Sequence, residues 1–442
     1  MIMNLIRQLH SKENKNILWL MSEKGINLFL VLVVNVMLAR YLGPSEFGKL
    51  SLLISINSMV VLMSPIGVNA IFIKEYLKSK NKSDVIATSL FVRFVGALFF
   101  SIVLLAIAQF SLVTSIDNYW IRLSIVSALS STFYLFDFLF QAKVESKYSV
   151  FARISNATVF FAIKCFLLVS EAPLDYFFYT AILEPAALAL WYVLALKISR
   201  FNTKRGAVNI SYALELAKKS KWLLFSTIAS VICLKIDQFM IAEMRGDSEV
   251  GIYSVAVRLS EVWYFLPNII AASYFPKLIK AKESSQVEYQ RRLQEINDFL
   301  VAIGFIIAIV MLVLSNEIIY VLFGSEYLES ANILSIHIFG GILVFSRALF
   351  SKWILNEGVY HFSLINHAVA ALTNVLLNLI FIPQYGAIGA AWATVISYLV
   401  AYYLLLSISP RTRGYFNVMT KSFNIIGAIA RVFKKFKSKV CL

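Results

Sequence analysis

Thirteen ionisable side chains sit in stretches of sequence otherwise too apolar to hold them: Lys24, Arg93, Arg122, Arg153, Lys164, Lys235, Arg258 and Arg347, opposed by Glu23, Asp137, Glu184, Asp237 and Glu261. A charge at the centre of a membrane helix costs about 2.5–3.5 kcal/mol on the insertion scale, so each calls for a partner or a wet cavity. The bases outnumber the acids eight to five. Even complete pairing leaves positive charge over, and a surplus of that sign among apolar helices suits a cavity built for an anion. Lys24 stands three residues before Asn27, and Arg258 three before Glu261. At that spacing each base shares a helix face with its polar neighbour. Two roles remain open for Lys24 and Arg258, holding an anion in a cavity or closing structural ion pairs. Arg122, Lys164 and Arg347 lie near span ends, where a long side chain snorkels towards water. Arg93 and Arg153 have Asp137 and Glu184 as candidate partners on other helices.

A second constellation carries one charge: Asp237, Asn374, Asn378 and Thr394. Asn374 and Asn378 are four residues apart and therefore point the same way from one helix. Oxygens from a carboxylate, two amides and a hydroxyl suit a small hard cation, and a lone buried aspartate takes a proton equally well. The structural alternative is an interhelical hydrogen-bond network. No transition-metal site is expected, because the four histidines have no cysteine or carboxylate spaced to help them and the three cysteines are scattered.

The elements that must position these groups are membrane helices. Of the 442 residues 59% are hydrophobic and 15% charged, with a mean hydropathy of +0.75, which excludes a soluble globular protein. The net charge of +16 would suggest nucleic acid in a soluble chain. In a membrane protein the position of the positives matters more, and no nucleic-acid partner is expected. The first apolar block is full length and lacks a small-residue cleavage site, so it reads as a retained anchor.

Apolar runs of membrane-crossing length predict an all-α polytopic protein of twelve spans: 17–39, 50–73, 85–109, 119–142, 148–170, 174–197, 222–244, 250–275, 296–322, 328–351, 360–382 and 386–409. They group as an N-terminal six-helix lobe (1–198), a cytoplasmic basic linker (199–221), a C-terminal six-helix lobe (222–410) and a basic tail (411–442). With the N-terminus inside, thirty of the 41 Lys and Arg fall in inside segments, and only Arg40, Lys49 and Arg245 fall outside. That bias predicts both termini in the cytoplasm. The tail carries Met419, Phe423, Ile426, Ile429, Phe433 and Phe436 at helical spacing among basic residues, which predicts an in-plane helix on the anionic inner leaflet.

The pattern G-x-S-E-x-G-x-x-S occurs at Gly43–Ser51 and again at Gly246–Ser254, an offset of 203 residues. Each following span carries a proline, Pro65 and Pro267. The same joint in both halves indicates duplication. Because each half has an even number of spans, the halves are related by an axis along the membrane normal, a transporter architecture with the substrate hollow between lobes. Pro65 and Pro267 are candidate hinges, or else static kinks.

Ala39–Gly48, the Val250–Ala256 run and above all Phe381-Ile382-Pro383-Gln384-Tyr385-Gly386-Ala387-Ile388-Gly389-Ala390-Ala391-Trp392-Ala393-Thr394 resemble the bacterial polysaccharide transporter family, which contains the Wzx O-antigen flippases. That family shares a superfamily with MATE-type multidrug extruders and the lipid II flippases. The resemblance implies a two-lobed, MATE-like inner-membrane protein, not an enzyme. Its expected activity is to move an undecaprenyl-pyrophosphate-linked oligosaccharide, such as an O-antigen unit for lipopolysaccharide, to the periplasmic leaflet by alternating access. It also implies contact with membrane lipids and a possible glycan polymerase partner. Basic residues on helices one and eight meet in the cavity of the lipid II flippases, and Lys24 and Arg258 occupy similar places. Those relatives include a sodium site on helices seven, eleven and twelve, similar in position to Asp237, Asn374, Asn378 and Thr394. Asn378 stands where they are expected to carry a second carboxylate, so the coupling ion is left open between H⁺ and Na⁺. The rivals are a multidrug antiporter of the same fold, against which the basic surplus argues, and a membrane-embedded glycan polymerase, which would need a large external loop.

Overall fold

The computed structural model describes residues 12–111, 113–199, 201, 206–359, 361–424, 427, 428 and 431, and every regular element among them is helical. Among the described residues nine helices are long and apolar enough to cross a membrane. The chain divides into two compact units, Met1–Val231 and Ile232–Leu442.

The first unit contains α1 (Lys12–Met63), α2 (Val68–Lys78), α3 (Lys82–Gln109), α4 (Asn118–Leu123), α5 (Ile125–Ser130), a 3₁₀ turn (Ser131–Tyr134), α6 (Leu135–Ala142), α7 (Lys147–Val169), α8 (Leu174–Ile198) and the start of α9 (Ile210–Arg245). The first two spans of the sequence reading are one long helix interrupted at Gly43, whose φ of 67° and ψ of 173° place it where only glycine is at ease. Pro65 lies in a complete break, since α1 ends at Met63 and α2 starts at Val68. Gly67 closes that break at φ 72°, where an added Cβ would approach the Ser220 carbonyl oxygen to 2.7 Å. Pro185 inside α8 offers no N–H to the carbonyl one turn back. Asn57 supplies a replacement, its Nδ2 donating to the Ala181 carbonyl at 3.5 Å.

The basic stretch read as a linker is partly helical. Lys218, Lys219 and Lys221 lie on α9, and the Lys219 ammonium bridges Glu75 at 3.1 Å and Glu215 at 2.8 Å. The Asp84 carboxylate accepts from the Ala207 N–H at 2.9 Å, which fastens the connection to the first turn of α3.

The second unit holds the rest of α9, then α10 (Asp247–Glu261), a 3₁₀ turn (Val262–Tyr264), α11 (Phe265–Ser284), α12 (Gln286–Phe323), a 3₁₀ turn (Ser325–Tyr327), α13 (Glu329–Glu357), α14 (His361–Leu399), a π turn (Val400–Leu404), α15 (Leu405–Ile408) and α16 (Arg413–Phe423). Spans eleven and twelve form one element bent at Gly386, with φ 58° and ψ −140°. The eighth span is broken by the 3₁₀ turn just before Pro267, which cannot supply the N–H that a continuous helix would place there. Separating the two double-length helices and joining α10 to α11 gives the twelve spans expected.

The tail departs from expectation. One face of α16 is built into the second unit: Tyr415, Val418, Met419 and Ser422 are buried, and Tyr415 packs on Phe350 and Trp353 with ring centroids 4.9 and 5.7 Å away. Buried Asp298 of α12 accepts from Ser422 Oγ at 2.7 Å and from Arg431 Nε at 2.7 Å. Those bonds hold the Arg431 guanidinium above its ordinary pKa. The same amphipathic periodicity serves a protein face as well as a lipid one, and here the protein takes it. Ile426, Ile429, Phe433 and Phe436 lie outside the described residues.

Candidate functional site

Asp237 is the charge in the second unit that lipid should least tolerate. It lies on α9, 3% exposed, and its carboxylate is surrounded by neutral donors from two other helices. Oδ2 accepts from the Tyr253 hydroxyl of α10 at 2.6 Å and from Thr394 Oγ1 of α14 at 2.8 Å. Oδ1 accepts from Asn378 Nδ2 at 2.6 Å. Asn378 Nδ2 also reaches Asn374 Oδ1 at 3.1 Å, and Asn374 Nδ2 donates to Thr394 Oγ1 at 3.3 Å. Asn374 and Asn378 are fully buried, and Asn378 Oδ1 has no hydrogen-bond partner. No basic side chain among the described residues forms an ion pair with Asp237.

The four residues singled out from sequence therefore converge on one point. The backbone explains how: Asn374 and Asn378 share a stripe of α14, and the bend at Gly386 folds its second arm back so that Thr394 joins them. That bend is held by a residue of the repeated motif. Glu249 Oε2 accepts from the Ala387 N–H at 2.8 Å, capping the second arm of α14. Tyr253, which completes the shell, was not legible as a site residue, because it is one of 21 tyrosines and occupies a variable position of the repeated motif.

The first unit handles its charges differently. Arg153 of α7 lies 3.3 Å from Asp137 and 3.6 Å from Glu23, whose side chain is 1% exposed. Lys164 pairs with Glu184 at 2.5 Å, so it is a partner in an ion pair and not a snorkelling group. Arg93, fully buried on α3, donates to Asn69 Oδ1 and to the Ser131 carbonyl, neither of them the carboxylates expected for it. In the second unit Arg347 also stays inside, bonded to His367 and stacked 4.6 Å over the Tyr402 ring. Arg122 is exposed.

Lys24 is exposed on α1 with Asn27 half-buried on the same helix, whereas Arg258 and Glu261 are half-buried on α10. Trp353 is stacked on Phe350 at 5.6 Å in the core. No group of three or more His, Cys, Asp or Glu among the described residues is arranged to hold a metal.

Comparison with known proteins shows what the chain as a whole is similar to. The chain matches the family described as polysaccharide biosynthesis protein over residues 14–282, and that described as lipid II flippase MurJ over residues 186–434. It is 22% identical to a putative O-antigen transporter of Shigella flexneri over 85% of this chain and 93% of that protein. It is 26% identical over 40% of its length to the capsular polysaccharide biosynthesis protein CapF of Staphylococcus aureus, and 25% identical over 47% to the probable low-salt glycan biosynthesis flippase Agl15 of Haloferax volcanii. It spans only 46% and 44% of those two relatives. Among solved structures, lipid II flippase MurJ in an inward closed conformation superposes with a TM-score of 0.65 at 16% identity, covering 92% of this chain and 91% of that one. An inward-facing multidrug resistance MATE family transporter of the MOP superfamily gives 0.67 at 12% identity, covering 90% and 95%. The chain belongs to the polysaccharide biosynthesis protein family, and it has the fold shared by MurJ and the MATE transporters.

Proposed function

We propose that this multi-pass membrane protein is a flippase for lipid-linked glycan units, translocating an undecaprenyl-pyrophosphate-linked oligosaccharide such as an O-antigen repeat from the cytoplasmic to the periplasmic leaflet of the inner membrane. Lys24 and Arg258 are the bases assigned to the diphosphate, with Asn27 and Glu261 beside them on their helices. The prenyl tail stays in lipid. No covalent bond changes, so the protein is a transporter and not an enzyme. Both termini lie in the cytoplasm, and a glycan polymerase is the natural neighbour on the far side.

Binding a cation at Asp237, with Asn374, Asn378 and Thr394 around it, couples the cycle to an ion gradient. The breaks at Pro65 and Pro267 are the hinges at which helices swing. The observation that carries this reading is a buried carboxylate, ringed by neutral donors, in a chain of the polysaccharide biosynthesis family. A static network would be served as well by an amide or hydroxyl, without the cost of a charge at membrane depth. Relatives named as an O-antigen transporter and glycan flippases support the substrate class. The test is surface glycan display in cells carrying Lys24→Ala or Arg258→Ala at normal protein level. Each is expected to abolish display, and full display in both would remove these residues from the substrate site.

A further inference from the structure

We propose that the Tyr253 hydroxyl sets which cation Asp237 accepts, admitting a proton and barring sodium. This rests on the reading of Asp237 as the coupling site and names the ion. A hard metal cation is bound by oxygen lone pairs turned inward, with carboxylates, carbonyls and waters filling its shell. Around Asp237 the neighbours present hydrogens. The Tyr253 O–H at 2.6 Å, the Thr394 O–H at 2.8 Å and an Asn378 N–H at 2.6 Å take up three of the carboxylate's roughly four lone-pair positions. Asn378 turns its nitrogen to the carboxylate, and its own oxygen, the buried acceptor without a partner, belongs to the other end of the amide. A sodium ion would have to displace the phenol and reverse that amide at once. The residues present do not fit it.

A proton fits without rearrangement. It adds to a lone pair of Asp237, a hydronium ion becoming water as the carboxylate becomes a carboxylic acid, and it leaves by the reverse step; no other bond changes. Tyr253 then serves the acid as it served the anion, because a hydroxyl accepts as well as donates. The neutral acid needs no counter-ion, which agrees with a shell made of amides and hydroxyls. Tyr253 is itself held in place: it is 2% exposed, and its ring stands edge-on to His337 at 6.4 Å and 88°. His337 is turned to Ser260, its Nδ1 lying 2.9 Å from Oγ. The other titratable groups within electrostatic reach of Asp237 are Cys233, one turn earlier on α9, and Glu261, which also feels Lys235 and Arg258.

The test uses purified full-length protein in nanodiscs, with ²²Na⁺ binding in choline buffer as one readout and dye-reported proton uptake after an acid step in sodium-free buffer as the other. Wild type is expected to take up a proton that Asp237→Asn loses, and to show no saturable ²²Na⁺ binding dependent on Asp237. Tyr253→Phe is expected to gain such binding, at least about 10-fold tighter than wild type, and to lose it again when combined with Asp237→Asn. Folded Tyr253→Phe that binds no more sodium than wild type overturns the assignment to Tyr253. If Tyr253→Phe does not fold, the wild-type arm decides alone: Asp237-dependent sodium binding overturns the inference and leaves the coupling site standing. Wild type that takes neither ion at Asp237 overturns both.

Discussion

The two halves of this chain meet the same difficulty, a carboxylate at membrane depth, in opposite ways. The first unit sets its charges against each other, with Arg153 between Asp137 and Glu23 and Lys164 on Glu184. The second keeps Asp237 among neutral donors. At the repeat offset of 203 residues Asp237 corresponds to Val34, a buried apolar residue. The repeated motif is therefore accompanied by a buried carboxylate at this position in the second unit only. The joints show the same divergence: Tyr41 donates to the Ala172 carbonyl at 3.0 Å in the first unit, while in the second Glu249 caps Ala387 at 2.8 Å. Closed ion pairs resist motion, because separating them exposes charge to lipid. A lone carboxylate in a hydrogen-bonded shell changes charge at the cost of a proton, and that is the half expected to respond to a gradient.

The sharpest way to break this contrast is Asp237→Asn. The amide is isosteric and spares a buried charge, so the protein should fold at wild-type yield while gradient-driven translocation falls by roughly 100-fold, equivalent to about 2.7 kcal/mol on the barrier. Retained, gradient-sensitive flux would make the two halves equivalent. Next comes Asp137→Ala, which leaves Arg153 with Glu23 alone at 3.6 Å. Loss of the closer of two carboxylates from a half-buried base should cost up to about 3 kcal/mol, read as lowered resistance to denaturant in detergent.

A smaller effect separates two glycines of the second unit. Gly386 at φ 58° has no room for a Cβ, which would come 2.4 Å from Glu249 Oε2, whereas Gly246 at φ 92° faces open space. Gly386→Ala should destabilise by about 2 kcal/mol, strain plus loss of the cap, and Gly246→Ala by about 1 kcal/mol of strain alone. Thermal midpoints in the same detergent give the order. The smallest effect is expected from the double variant Lys164→Met with Glu184→Leu. Replacing both members of this half-buried pair with apolar residues of similar size should change stability by less than about 1 kcal/mol and leave transport intact. Loss of transport there would give the first unit an active role in charge movement.

Much of this arrangement was legible because bilayer thickness imposes a length on every span, and because an uncompensated polar residue inside such a span has few places to go. Asn374 and Asn378 pointed together by helical spacing alone, and they do converge on Asp237. Tyr253 escaped notice, since a tyrosine in an apolar run is consistent with ordinary packing and only coordinates show where its hydroxyl ends. The tail escaped for a related reason. Its amphipathic face is compatible with lipid, and its true partner Asp298 lies 133 residues from Arg431, beyond any local pattern. The continuity of α1 through Gly43 and of α14 through Gly386 was hidden too, because the same glycines that mark a loop in sequence also permit a sharp corner between helices.

The most direct measurement is translocation of a labelled polyprenyl-pyrophosphate-linked oligosaccharide in proteoliposomes, wild type against Asp237→Asn, with and without an imposed ion gradient. The account predicts that a gradient accelerates the wild type and that the variant, equally well inserted, moves the lipid at the same slow rate with or without one. A variant accelerated as much as the wild type, or a wild type that moves no lipid-linked glycan under any gradient, would contradict it.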